Sequence, residues 1–120
     1  MFFENQIIIS NCNDLNLDFK DNLSKRNSII IKNCNKVKIN LNSKINKLIF
    51  INSNNITLKC SETISGIDIE KCFNFILDPI EPYQLGYVEC YKSYIQIIFN
   101  DNLINKFKII NEESHIEIIN

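Results

Sequence analysis

Residues 29–39 read IIIKNCNKVKI, residues 48–58 read LIFINSNNITL, and residues 67–77 read IDIEKCFNFIL. Each stretch begins nineteen residues after the one before and centres on a small residue, Cys34, Ser53 or Cys72. A long internal period of this kind constrains architecture more than any single motif. Extending the column gives Cys12, Cys34, Ser53, Cys72 and Cys90, at spacings of 22, 19, 19 and 18. Five residues before it run Ile7, Ile29, Leu48, Ile67 and Leu85; three before it, Ile9, Ile31, Phe50, Ile69 and Tyr87. Three residues after it run Leu15, Val37, Ile56, Phe75 and Ser93; five after it, Leu17, Ile39, Leu58, Leu77 and Ile95. Apolar residues alternate with polar ones inside each copy, the period of a strand.

Strand alternation on a period of about nineteen residues, with no helical segment, predicts an all-β parallel β-helix in which each copy is one coil. Coils stack at about 4.8 Å, so like residues lie over like. The small residue then occupies an inward corner between two strands, where Cys acts as a small hydrophobe. An antiparallel sandwich also uses short alternating strands, but it requires no column identity and spends more Gly at hairpins; this chain has two. The β-helix is expected over residues 1–99, with a polar loop at KDNLSKR (20–26) and an edge loop at LDPIEPY (77–83), which holds both prolines. After Phe99 the register is lost. Residues 100–120 read as a linker and a C-terminal β-hairpin around NEES, within the same domain.

Composition narrows the function. A net charge of -1 gives no electrostatic case for nucleic acid or an anionic membrane. Apolar runs such as IIIS are too short to span a bilayer. The start, MFFENQIII, lacks the basic leader and cleavage site of a signal peptide. A cytoplasmic location is expected, where free thiols are normal.

The five cysteines include no CxxC, and four of them share the corner column, so neither a metal site nor a disulfide is expected. The one histidine, His115, has no evident catalytic partner, and GxSxG, GxxxxGK[ST] and HExxH are absent. No enzyme and no cofactor are expected. The outward columns are more informative. Two residues after the corner come Asp14, Lys36, Asn55, Asn74 and Lys92; four after, Asn16, Lys38, Thr57, Ile76 and Tyr94; six after, Asp18, Asn40, Lys59, Asp78 and Gln96. This polar face with lysines is either solvated or a docking surface for another protein. A further outward column, Ile8, Ile30 and Ile49, forms an apolar stripe that the tail hairpin or a second subunit would cover.

Several stretches carry a family resemblance: NCNDLNLDFK, NSIIIKNCNKVKINL, IFINSNNITLKC, IDIEKC, YKSYIQI and FKIINEESHIEII. Together they resemble the C-terminal domain of cyclase-associated protein, whose superfamily also includes tubulin-folding cofactor C. The resemblance implies a right-handed β-helix that exchanges its C-terminal hairpin between two chains. It implies binding to monomeric actin in its ADP form and promotion of nucleotide exchange. Actin would meet the outward polar face through Lys20, Lys36, Lys38, Lys59, Lys71, Lys92 and Ser93. The homodimer would form through Phe107, Ile109, Ile110, His115, Ile116 and Ile118. The cofactor C branch offers an alternative, a GTPase-activating module that works through an arginine. The single arginine here, Arg26, falls in the KDNLSKR loop rather than on a strand face.

Overall fold

The computed structural model describes residues 6–20, 27–79, 85–98 and 108–119. Among the described residues, twelve strands alternate between two sheets, and each pair makes one coil. The first four coils are β1 (Gln6–Ser10) with β2 (Asn13–Phe19), β3 (Ser28–Lys32) with β4 (Asn35–Leu41), β5 (Ile45–Ile51) with β6 (Asn54–Cys60), and β7 (Ile64–Glu70) with β8 (Phe73–Pro79). The fifth and sixth are β9 (Leu85–Tyr91) with β10 (Tyr94–Ile98), and β11 (Lys108–Glu112) with β12 (His115–Ile119). Odd strands form one six-stranded sheet and even strands the other, all neighbours parallel.

The pairing Ile7, Ile29, Leu48, Ile67, Val88, Ile109 steps by 22, 19, 19, 21 and 21 residues. Coil length is thus less regular than the expected nineteen. Inward rows interlock between the sheets: Ile29, Leu48, Ile67 and Val88 from one, Val37, Ile56, Phe75 and Ile95 from the other, all fully buried. Phe50 and Phe75 meet edge to face across this core at 4.8 Å. The end coils have a neighbour on one side only, so Ile7, Ile9, Leu15, Leu17, Ile109 and Ile116 are half-buried.

Every corner is built alike. The residue before it has a left-handed backbone: Asn11, Asn33, Asn52, Lys71, Lys92 and Glu113. Asn tolerates that region best after Gly, which explains the Asn excess at the turns. The corner side chain is then a donor to the carbonyl two residues earlier. Cys12, Cys34 and Cys72 thiols reach Ser10, Lys32 and Glu70 oxygens at 3.2–3.3 Å. Ser53, Ser93 and Ser114 hydroxyls reach Ile51, Tyr91 and Glu112 oxygens at 2.9–3.1 Å. The corner selects a short donor as well as a small volume.

Two expectations are corrected here. The fifth corner is Ser93 and not Cys90, because Cys90 pairs with Ile69 inside a strand. Leu85 pairs with Ile64, Tyr87 with Gly66 and Ile95 with Phe75, so the expected rows of the fifth coil shift as a unit. The coil after Cys72 is longer than the two before it, and Cys90 imitates a corner cysteine. Second, the tail does not leave the repeat. Its NEES turn is another corner, with Glu113 left-handed and Ser114 in the column. It carries the chain from one sheet to the other, so β11 pairs with β9 and β12 with β10 rather than with each other. The isoleucine stripe also stays uncovered by the tail, since β11 extends the same sheet and places Ile110 at the far end of that row. The expected loops over 21–26 and 80–83 lie outside the described residues.

Candidate functional site

The outer face of the even-numbered sheet carries its cations in the second and third coils. Strand alternation sends Val37 and Ile39 inward and Lys38 outward, while Lys36 faces solvent from a left-handed position with φ of 58°. Lysine there costs more than the Asn55 and Asn74 that occupy the same place in the next coils. Those two asparagines are linked, Asn74 Nδ2 donating to Asn55 Oδ1 at 3.1 Å, and Asn55 Nδ2 to Asn35 Oδ1 at 2.8 Å. Lys36 and Lys38 border a shallow groove of about 370 Å³ with Asp14, Asn16, Asn55 and Thr57. Lys59 stands one coil on, in the row of Asp18, Asn40 and Asp78. Among the described residues, no carboxylate lies within 4.0 Å of Lys36, Lys38 or Lys59. The surface thus offers uncommitted ammonium groups beside amide and hydroxyl groups, which suits the acidic surface of another protein.

The other expected contact residues are more dispersed. Lys20 is exposed just past β2, 4.0 Å from Asp18. Lys71 and Lys92 occupy left-handed corner positions at the edge between the sheets. Lys92 lies 4.0 Å from the Glu113 carboxylate and 5.3 Å from the Tyr91 ring centre. Ser93 is buried, its hydroxyl donating to Tyr91 O at 2.9 Å and accepting from Cys72 N at 3.0 Å. It builds the corner and presents nothing to a partner. The signal for that role was the spacing VECYKS, which repeats IDIEKC with Ser in place of Cys.

In the tail, Ile109 and Ile116 pack on the core, and Ile110 is half-buried on the outer face. Ile118 belongs to the inward row of Leu77 and Ile97 but is 54% exposed, since β12 is the edge strand of its sheet among the described residues. Phe107 lies outside the described residues, as does Arg26. His115 stacks on Tyr94 with ring centres 4.7 Å apart. Tyr94 Oη donates to Glu117 Oε1 at 2.8 Å and Gln96 Nε2 to Glu117 Oε2 at 3.2 Å, while His115 Nε2 lies 3.3 Å from Oε1. These bonds, led by that from Tyr94, hold the Glu117 carboxyl below its ordinary range, and the same bond raises the Tyr94 phenol. Sequence reasoning missed this cluster because its members lie on two coils whose register was misassigned.

Residues 2–77 match the family described as adenylate cyclase associated (CAP) C terminal. The match covers more than half the chain, and the chain belongs to this family. It spans the first four coils and holds Lys20, Lys36, Lys38, Lys59 and Lys71, whereas Lys92, Ser93 and the tail follow it. A search of curated proteins gives no match. Among the described residues, no helix is long and apolar enough to cross a membrane.

Proposed function

We propose that this chain binds monomeric actin through the lysine-bearing face of its even-numbered sheet and promotes exchange of the actin-bound nucleotide. It acts as a binding module of the cytoplasm and not as an enzyme. The observation that carries this reading is the coincidence of the family match with the uncommitted cations: Lys36, Lys38 and Lys59 lie on one face within residues 2–77. We also assign it a homodimer formed by exchange of the last coil, a reading supported by the half-buried Ile109 and Ile116 and the exposed Ile118 at the open end.

The test is release of a fluorescent ATP analogue from, or its uptake by, ADP-actin monomers in the presence of the full chain. Faster exchange is the expected result. Unchanged exchange with no co-sedimenting complex overturns the reading.

A further inference from the structure

The odd-numbered sheet presents a second, oppositely charged groove, and we propose that it docks a short partner segment in which branched apolar residues adjoin Lys or Arg. The groove has a volume of about 400 Å³ and is lined by Ile49, Ile51, Asp68, Glu70, Glu89 and Glu112, with Tyr91 beside them. No lysine or arginine contributes to it.

The pairing orders these residues along the stack. Ile30 leads to Ile49, then Asp68, then Glu89; in the parallel row Ile51 leads to Glu70, Tyr91 and Glu112. One end of the groove is therefore branched and apolar at Ile49 and Ile51; the first row continues through Ile30 to Ile8, which is 61% exposed, and the second leads to Lys32. Beyond Ile49 and Ile51 the groove is anionic at Asp68, Glu70, Glu89 and Glu112, and the first row closes past Glu89 on the half-buried Ile110. Asp68 and Glu89 are direct neighbours on adjacent strands, an arrangement of like charges that destabilises a sheet. Lys47 is already engaged, its Nζ 2.9 Å from Asp68 Oδ2. Asp68 Oδ1 is shut off from solvent with no hydrogen-bond partner. Among the described residues, Glu70, Glu89 and Glu112 have no cation within 4.0 Å. A partner's ammonium or guanidinium groups would relieve this repulsion, while its apolar side chains cover the isoleucines.

A second copy of this chain does not match. The face with Lys36 and Lys38 sets Asp14, Asn16, Asn55 and Thr57 beside them, with Leu15 the one apolar residue of the groove, and so lacks the paired isoleucines a match would need. From the coil of Ile30 to that of Glu112 is four coil steps, about 19 Å, or about six residues of extended chain. This proposal is independent of actin binding, since it concerns the other sheet.

The experiment measures fluorescence anisotropy of a labelled peptide of two isoleucines followed by four lysines, titrated with the full chain. A control peptide replaces the isoleucines by serines. The isoleucine peptide is expected to bind at least tenfold more tightly. Its binding should fall at least tenfold in the Glu89→Gln, Glu112→Gln double variant and stay unchanged in Lys36→Glu, Lys38→Glu. Both substituted glutamates point outward and Gln keeps their shape; circular dichroism confirms the fold. Equal binding of the two peptides reduces the groove to a diffuse anionic surface and overturns the proposal. So does binding that ignores the glutamate substitutions, or no binding.

Discussion

The Ser53 hydroxyl accepts a hydrogen bond from the backbone N–H of Cys34, one coil away, at 3.1 Å. It donates at the same time to Ile51 O at 3.0 Å. The bond recurs between Ser93 and Cys72 N at 3.0 Å, and between Ser114 and Ser93 N at 2.9 Å. Each serine corner therefore ties its own turn and caps the corner N–H of the preceding coil. Ser53→Ala leaves the buried Cys34 N–H unpaired, at a cost of about 1–3 kcal/mol, while Ile51 O keeps its bond from Asn33 N at 3.0 Å. Urea denaturation should show this loss with an unchanged dependence on denaturant. Ser53→Cys, which keeps a donor of the kind found at Cys34 and Cys72, should recover part of it.

This corner also shows where sequence reading succeeds and where it stops. The first four coils were legible because Ile29, Leu48 and Ile67 pair as their nineteen-residue spacing implies. The fifth was misread because its corner, Ser93, comes 21 residues after Cys72, while Cys90 stood near the expected place. It also lacks the second left-handed residue that follows each earlier corner, such as Asn74. Reading the corner as a volume requirement hid its donor role, and with it the kinship of YKS and EES to EKC. Lys36 and Lys38 were legible as outward lysines because strand period alone fixes their side. The acidic groove was not, because Glu89 and Glu112 join Asp68 and Glu70 only in the corrected register.

Charge reversal at Lys36 and Lys38 together should weaken actin binding about tenfold, a loss of about 1.4 kcal/mol. Both side chains are exposed and uncommitted, so far-ultraviolet circular dichroism and thermal midpoint should change little. Reversal at Lys92, which already faces Glu113 and lies beyond residues 2–77, should cost less. Binding assays with labelled actin monomers compare the three. Equal losses would move the contact to the corner edge.

Thiol chemistry separates the coils. Burial pushes the thiols of Cys60 and Cys90 up to about 12 and that of Cys72 up to about 11, from an ordinary 9.0. Cys12, half-buried in the first coil, should react quickly with a disulfide reagent at pH 8, while buried Cys34, Cys60, Cys72 and Cys90 wait for unfolding. The shifts also set an alkaline limit. The folded state holds these protons after the unfolded chain loses them, so their contribution is whole below pH 9 and declines as pH rises from 9 towards 12. A stability series across that range should fall, and Cys60→Ala should flatten it.

The Glu117 cluster makes the last coil sensitive to acid. Its carboxyl is lowered in the folded state, chiefly by the hydrogen bond from Tyr94. The stabilisation is present above the ordinary carboxyl value of 4.5 and is lost as pH falls through the lower folded value. Amide exchange at Ile116 and Ile118 should accelerate in that window before exchange at Ile56 or Leu58 does. Tyr94→Phe should move the transition upward in pH. A uniform acceleration across all coils would show instead that the cluster does not act locally.

Exchange of the last coil between two chains preserves every pairing that β11 and β12 make with β9 and β10, because a second copy supplies identical strands. The proposed exchange is expected to bring the two sixth coils together and to cover Ile118, an inward-row residue exposed by 54%. Sedimentation equilibrium of the full chain should give a dimer. Removing residues 108–120 should give a monomer that exposes Val88 and Ile95 and is less stable or aggregates. A full chain that stays monomeric at high concentration would overturn the exchange and leave the sixth coil as a cap folded onto its own stack.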